Sequence, residues 1–477
     1  MGRRIVFQAA ILLLAGLAFS EFHQSTTCAD EVRDPRLPES AALTVDGDIA
    51  SLMVDGIDRF LLRKITEASE TRGQYWSYDF SSAAAYSRSV ESNRAELQRI
   101  LGIRDRRVRY SSPELLAGIG RSAVVADTAE YQILSIRWPV LADPAPTASG
   151  LTSVWGEGLL LLPKKQAVAA SVIALPDADQ SPEQLCGLVP GVPPQSQFPL
   201  HLVRSGCRVV VPMLVSRERE KRKGRANLTN REYIYRSAFE LGRHLLGYEI
   251  QTTLAVVDWL EQDGSAGKIG MIGYGEGGLT AWYAAAVDER ISAVVLSGVF
   301  GPRDRCWSEP LDRNIFGLLN RFDATETTSL ILPRRLIVEM TDWPKVRLDG
   351  DGGGPGELVT PAVDDIRRHL DAAAEHGARL INGGIMQTGI TTHFGDTEVF
   401  GSRYVCDLLT ESLKQNPGAP SSSTAPTLSS PVPSVTADQH AQRAAERQQR
   451  RLQELDRHNQ ALLRESPFVR EQFLRQL

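Results

Sequence analysis

The sequence predicts an α/β fold: a mainly parallel sheet with helices on both faces. Two observations lead there. From "AVAASVIALP" onward, short runs rich in Val, Ile and Leu alternate with segments of helical periodicity. These runs are continuously apolar, as strands buried on both faces must be. About eight strands are expected, and the last six alternate with helices.

The chain has 477 residues, 42% hydrophobic and 23% charged, with a formal net charge of −5. That is ordinary globular composition, long enough for one large domain and extra segments. The small negative charge argues against nucleic acid as the main partner, since a phosphate-binding face needs a basic excess.

The elements follow in order. "MGRRIVFQAAILLLAGLAFS" places two arginines before an apolar run, the plan of a secretory signal peptide with cleavage after Ser20 or Ala29. The run is shorter than the roughly 20 residues of a membrane span. The expected location is therefore periplasmic or extracellular. Residues 1–29 are assigned to the signal. Residues 30–120 form an N-terminal helical segment, with Leu52, Met53, Ile57, Phe60 and Leu61 on one side of its first helix and "ESNRAELQRILGI" as its second. Residues 121–414 form the α/β domain. In it, "AEYQILSIRWPVL" and "SVWGEGLLLLP" read as two strands, antiparallel to each other. "VIALP" and "GCRVVVPML" are the next two. A long helical segment runs from Thr229 to Gly264. The opening of "KIGMIGYGEGGLTAWYAAA" is the fifth strand, followed by a helix. "ISAVVLSGVF", "RRLIVEMTD" and "ARLINGG" complete the strands. Residues 415–436 are a Pro/Ser/Thr-rich linker, and 437–477 a charged helix with a thin stripe of Leu452, Leu455, Leu462, Phe468 and Phe473. That helix reads as a coiled coil or docking helix, through which a protein partner would bind, or as a solvated helix. There are no internal repeats.

Five cysteines are present, Cys28, Cys186, Cys207, Cys306 and Cys406. Their spacing fits neither a metal site nor C-x-x-C, so no metal is expected. One disulfide or a set of buried thiols both fit.

The turn Gly273-Tyr274-Gly275-Glu276-Gly277-Gly278 fits two templates. One is the G-x-G-x-x-G loop of dinucleotide-binding sheets. That template wants an acidic residue at the end of the next strand, and "VVLSGVF" has none. It also belongs on the first strand of a sheet, whereas about four strands come before this one. The other is the G-x-S-x-G nucleophile elbow, with Gly273 and Gly277 as flanking glycines and Gly275 at the nucleophile position. The elbow fits more of the chain. Asp342 follows a later strand, where a triad acid would lie, with Glu339 as the second candidate. His393 follows the last predicted strand, where a triad histidine would lie.

The chain from about Val154 to Lys414 resembles the α/β-hydrolase superfamily, and within it the dienelactone-hydrolase and acetyl-xylan-esterase-like branch. The stretches "GEGLLLLP", "GCRVVVPML", "GRHLLGYEIQTTLAVVDWL", "KIGMIGYGEGG" and "VDERISAVVLSGVF" carry the likeness. It implies hydrolysis of carboxylic esters, including acetyl esters of carbohydrates, and no cofactor. It also implies Ser or Cys where this chain has Gly275, and glycine offers no nucleophile. Glu276 cannot replace it, because the elbow register would then put Tyr274 where a small residue is needed. What the resemblance leaves is a remnant, Asp342 and His393, and an anion seat at the amide of Glu276, helped by Asp177 or Ala178 and bordered by Tyr274. Two functions follow as expectations: an esterase-like hydrolase of unusual arrangement, or a catalytically silent protein that binds an anionic or carbonyl ligand or serves as an interaction platform.

Two further stretches carry charge. Glu249, among Arg236, Arg243 and His244, reads as part of a buried Arg–Glu brace. "SREREKRKGRANLTN", which begins at Ser216 and includes Arg217, reads as a solvated loop with a glycosylation-type "NLT" at Asn227.

Overall fold

The computed structural model describes residues 44–144, 152–165, 167–222, 226–264, 267–348, 356–382, 389–414 and 435–476. The signal-peptide reading, Cys28 and nearly all of the linker lie outside the described residues. The chain divides into two compact units, residues 1–61 and 62–477. In the first, the described residues carry the start of helix α1 (Ile49–Thr71).

The large unit holds helices α2 (Ala83–Ile100), α3 (Pro182–Leu185), α4 (Phe198–Arg204), α5 (Asn230–Glu240), α6 (Leu245–Asp263), α7 (Glu276–Val287), α8 (Ala324–Ser329), α9 (Val363–Asn382), α10 (Arg403–Leu413) and α11 (Ala437–Gln476). Its strands are β1 (Glu114–Leu115), β2 (Val124–Asp127), β3 (Tyr131–Ala142), β4 (Thr152–Pro163), β5 (Ala170–Leu175), β6 (Cys207–Pro212), the hairpin β7 (Arg219–Arg222) and β8 (Ala226–Thr229), then β9 (Ile269–Tyr274), β10 (Ile291–Ser297), β11 (Arg335–Met340) and β12 (Ile390–Phe394).

The main sheet runs β1-β3-β4-β6-β5-β9-β10-β11-β12, with β2 beside β3. β4 is antiparallel to both its neighbours, and the six strands from β6 across to β12 are parallel. Seven of these strands are expected ones and β12 is not; β1 and β2 are short additions at the edge of β3.

Strand pleating sends alternate residues to opposite faces. Along β10, Val294 and Leu296 join one apolar cluster, with Trp138, Tyr248, Trp282 and Leu455; Ala293 and Val295 join the other, with Phe198, Val405 and Leu409. Each face therefore needs its own helices, and the fold has three layers.

The predicted long helix is two. Thr229 caps α5 by accepting from the amide of Glu232, the chain turns at Gly242, and Gly264 closes α6 in the left-handed region. A second difference matters for the site. "ARLINGG" is not a strand: α9 runs on to Asn382 through Gly377, keeping Leu370, Ala373 and Leu380 on one buried side. The last strand lies later and contains His393.

Helix α11 docks on its own domain. Leu452 and Leu455 enter the core, Arg447 pairs with Glu183 at 2.8 Å, and Arg450 pairs with Glu157 at 2.8 Å. Asn459 accepts from the Tyr248 hydroxyl at 2.6 Å. Farther along, Leu463, Phe468, Val469 and Leu474 stay exposed. Cys186, Cys207, Cys306 and Cys406 are free and buried.

Candidate functional site: an elbow without a nucleophile

The elbow is present in the backbone. β9 ends at Tyr274, Gly275 turns with φ 55° and ψ −120°, and α7 begins at Glu276. A non-glycine residue holds such a conformation only under strain; glycine holds it freely. The flanking glycines are needed for close approach. A Cβ on Gly273 would lie 2.3 Å from the carbonyl oxygen of Gly277, and one on Gly277 would lie 2.3 Å from that of Pro176. Together with the strand order, in which the second of eight strands is antiparallel and the third and fourth exchange places, this decides the fold. The chain is an α/β-hydrolase-fold protein.

Known proteins place it as follows. No family model matches the chain. It is 32% identical over 149 residues to the Bacillus subtilis (strain 168) protein named "Putative hydrolase YtaP", which covers 29% of this chain and 46% of that protein. The chain thus spans less than half the length of that relative. Similar solved structures include a "putative acetyl xylan esterase" from Bacteroides fragilis, with 14% identity, 69% of this chain and 80% of that one covered, and a TM-score of 0.47. A glucuronoyl esterase from Solibacter usitatus is also similar, with 14% identity, 70% and 94% covered, and a TM-score of 0.43.

The place of a nucleophile's side chain is taken in this α/β-hydrolase fold. A Cβ on Gly275 would lie 2.3 Å from Asp177 Oδ1 and 2.5 Å from Pro344 Cγ. Asp177 sits on the loop after β5 and reaches into the elbow. Its Oδ1 accepts the backbone N–H of Glu276 at 3.0 Å. That amide opens α7 and would otherwise face a substrate oxyanion. The amide of Asp177 itself donates to Gln180 Oε1 at 3.2 Å. Both amides are therefore engaged from within the chain. Ala178, buried beside them, lines a neighbouring cleft that none of the elbow residues 273–277 borders.

Arg217 holds Asp177 there. Its guanidinium donates to Asp177 Oδ2 at 2.6 Å and Oδ1 at 3.0 Å, to Asp179 at 2.9 Å and to Glu276 Oε1 at 3.1 Å. Glu276 also accepts from Arg313 at 2.9 Å and Arg231 at 3.4 Å. Arg231 in turn binds Glu249 at 2.8 Å and Asp312 at 2.6 Å. The Arg–Glu brace exists, with Arg231 as its arginine. Arg236 pairs with Glu232 and Arg243 with Asp105 instead.

These pairs are buried, so their balance sets ionisation. Burial alone would raise the Asp177 carboxyl, but Arg217 outweighs it and holds it below its ordinary value. For Glu276 the same opposition of burial by Arg313, Arg231 and Arg217 leaves the carboxyl far below the usual range. At Glu249 burial wins over Arg231 and the carboxyl is raised. Glu276 is thus a charged structural anchor saturated by arginines, not a nucleophile in waiting.

The predicted partners lie elsewhere. Tyr274 stacks on Phe400 at 3.8 Å, and its hydroxyl donates to the carbonyl of Asp342 at 3.2 Å. Asp342 does follow β11, and its N–H donates to the carbonyl of Thr397 at 2.9 Å. His393 is inside β12, in a row across the sheet with Tyr274, Ser297 and Glu339. Three strand spacings put it about 14 Å from Tyr274. Its ring packs on Tyr404 at 4.5 Å. Among the described residues no hydrogen bond or ion pair joins Asp342 and His393. Glu339 is engaged in anchoring the start of α10. It accepts from the amides of Gly401 at 2.6 Å and Ser402 at 3.0 Å, and from the Ser297 hydroxyl at 2.6 Å.

Arg217 is the residue that sequence reading missed. It heads a run of charges that forms a hairpin exposed at Glu220 and Lys221, and only its position just after β6 turns it inward. The cleft it borders has a volume of about 560 Å³ and is also lined by Met213, Lys345, Arg347, Arg447 and Gln448. The C-terminal helix is therefore one wall of the cleft.

Proposed function

We propose that this chain is an exported protein of the esterase-like hydrolase class that has given up acyl transfer and holds an anionic or carbonyl-bearing ligand in the cleft beside the elbow. The observation that carries this reading is Asp177. Its carboxylate fills the space of a nucleophile's side chain and takes the Glu276 amide. Acyl transfer needs that space for a nucleophile and that amide for the developing oxyanion. Export rests on the N-terminal sequence; no helix among the described residues is long and apolar enough to cross a membrane. An anionic ligand is favoured because Lys345 and Arg347 line the cleft and Lys345 makes no ion pair among the described residues.

The test is an ester-hydrolysis assay with an aryl acetate, beside calorimetric titration with acetate and butyrate. The expected result is no turnover above buffer, with carboxylate binding that is lost in a Lys345→Ala, Arg347→Ala variant. Turnover by the wild type that disappears in His393→Ala would overturn this reading in favour of a working esterase.

A further inference from the structure

A second cleft, with a volume of about 460 Å³, opens where the end of α2 meets the α5–α6 junction and the turns around Gly317. It shares no lining residue with the cleft beside the elbow. Three aromatic side chains at it are open to water: Tyr75 is 42% exposed, Phe239 46% and Phe316 79%. Phe239 and Phe316 meet edge to face with centroids 6.1 Å apart. The guanidinium of Arg321 lies 4.5 Å over the ring of Tyr75.

The same cleft is cationic. Arg99, Arg104, Arg243 and Arg321 line it, and Glu96 is its one acid. Glu96 is taken by Arg99 at 2.5 Å, and Arg243 is taken by Asp105 at 2.8 Å. Arg104 and Arg321 make no ion pair among the described residues, though Arg321 lies near enough to Glu96 to help Arg99 lower that carboxyl's pKa. His244 adds no charge at neutral pH, because burial brings its pKa down to about 4.

A phenylalanine ring left in water forgoes the gain of burial. Beside it stand guanidinium groups free to bind an anion through paired N–H donors. The two features suit one kind of molecule, with a ring face for the aromatic side chains and a negative group for the arginines. We propose that this cleft binds a ring-bearing carboxylate, its ring against Phe316 and Phe239 and its carboxylate on Arg104 and Arg321. A sugar acid and an aromatic acid share that chemistry.

Calorimetric titration of the full chain separates the two sources. The probes are a galacturonate disaccharide and 4-hydroxycinnamate, beside their neutral counterparts galactobiose and 4-hydroxycinnamyl alcohol. One acid should bind, and its neutral counterpart should bind at least about tenfold more weakly. An Arg104→Gln, Arg321→Gln variant should lose about tenfold or more in affinity, and Phe316→Ser about fivefold. In the Lys345→Ala, Arg347→Ala variant the binding event that depends on Arg104, Arg321 and Phe316 should remain, whatever is lost at the other cleft. The proposal is overturned if neither acid binds up to about 10 mM, if acid and neutral probe bind alike, or if binding is lost only in the Lys345, Arg347 variant. Failure here leaves the reading of the elbow cleft standing, since the two rest on separate residues.

Discussion

The middle of the sheet and its β12 edge present different things at the carboxyl ends of their strands. At β9 the backbone makes an elbow's turn, and the side chains around it form a buried ion network of Asp177, Arg217, Glu276, Arg231 and Arg313. At β11 and β12 the strands are intact, Glu339 anchors the next helix, and His393 turns toward Tyr404. At β9 the backbone makes an elbow's turn with glycine at its apex; at β11 and β12 an acid and a histidine stand apart from that turn. Backbone constraints such as a strand-to-helix turn persist because the whole sheet packs against them.

The largest effect should come from breaking the network at the elbow. Arg217→Ala leaves Asp177 and part of Glu276 charged and buried without compensation. A loss of about 3–5 kcal/mol is expected in urea unfolding. A loss below about 1 kcal/mol would mean that the network is hydrated and the seat is open, and the contrast between the two regions would weaken.

Gly275→Ser comes next. Serine brings back an oxygen, but its Cβ meets Asp177 and takes up backbone strain, so a loss of about 3 kcal/mol is expected. No ester hydrolysis should appear, even when Asp177→Ala clears the seat, because His393 is not placed to activate the hydroxyl. An aryl acetate assay on both variants decides this. Activity in the double variant that depends on His393 would show that the far edge can still close on the elbow.

What was legible in the sequence follows the same division. The elbow was legible because close backbone approach fixes Gly273 and Gly277 by sterics alone. The parallel core was legible because strands buried on both faces are continuously apolar. His393 was placed after a strand because "ARLINGG" looks like one, yet α9 tolerates Gly377 and keeps its apolar period. Arg217 was hidden in a charged run, and its burial is a tertiary fact that no local pattern carries. The docking of α11 was half legible. Leu452 and Leu455 marked a stripe, but much of the seam is Arg447, Arg451, His458 and Asn459, buried polar residues that a hydrophobic pattern passes over.

A pH experiment probes the ion network apart from its neighbours. His244 is buried, caps α6 by accepting the amide of Leu246, and has its pKa lowered from 6.5 to about 4. The unfolded state therefore binds the proton first as pH falls below about 6.5, and stability is lost down toward the folded value. Between pH 7 and pH 5 this histidine should cost about 2 kcal/mol. Asp177 and Glu276 have depressed folded pKa values, so their contribution is intact throughout that interval and is lost only below the ordinary carboxylate range. His244→Asn, which retains a capping oxygen, should lose distinctly less between pH 7 and pH 5 in urea unfolding. Equal losses in wild type and variant would assign the acid sensitivity to the other histidines whose pKa burial lowers, His201, His376 and His440.

The smallest expected effect is the sharpest test of the far edge. His393 is half-buried on an edge strand and touches Tyr404, with no polar partner at the elbow. His393→Ala should change stability by no more than about 0.5 kcal/mol. It should leave carboxylate binding in the elbow cleft unchanged. A larger loss of stability would mean that its packing is structural. A change in binding would mean that the loop after β12 moves His393 toward the cleft when a ligand is present. Comparing the two readouts in this one variant separates a histidine that has become scaffold from one that still belongs to a site.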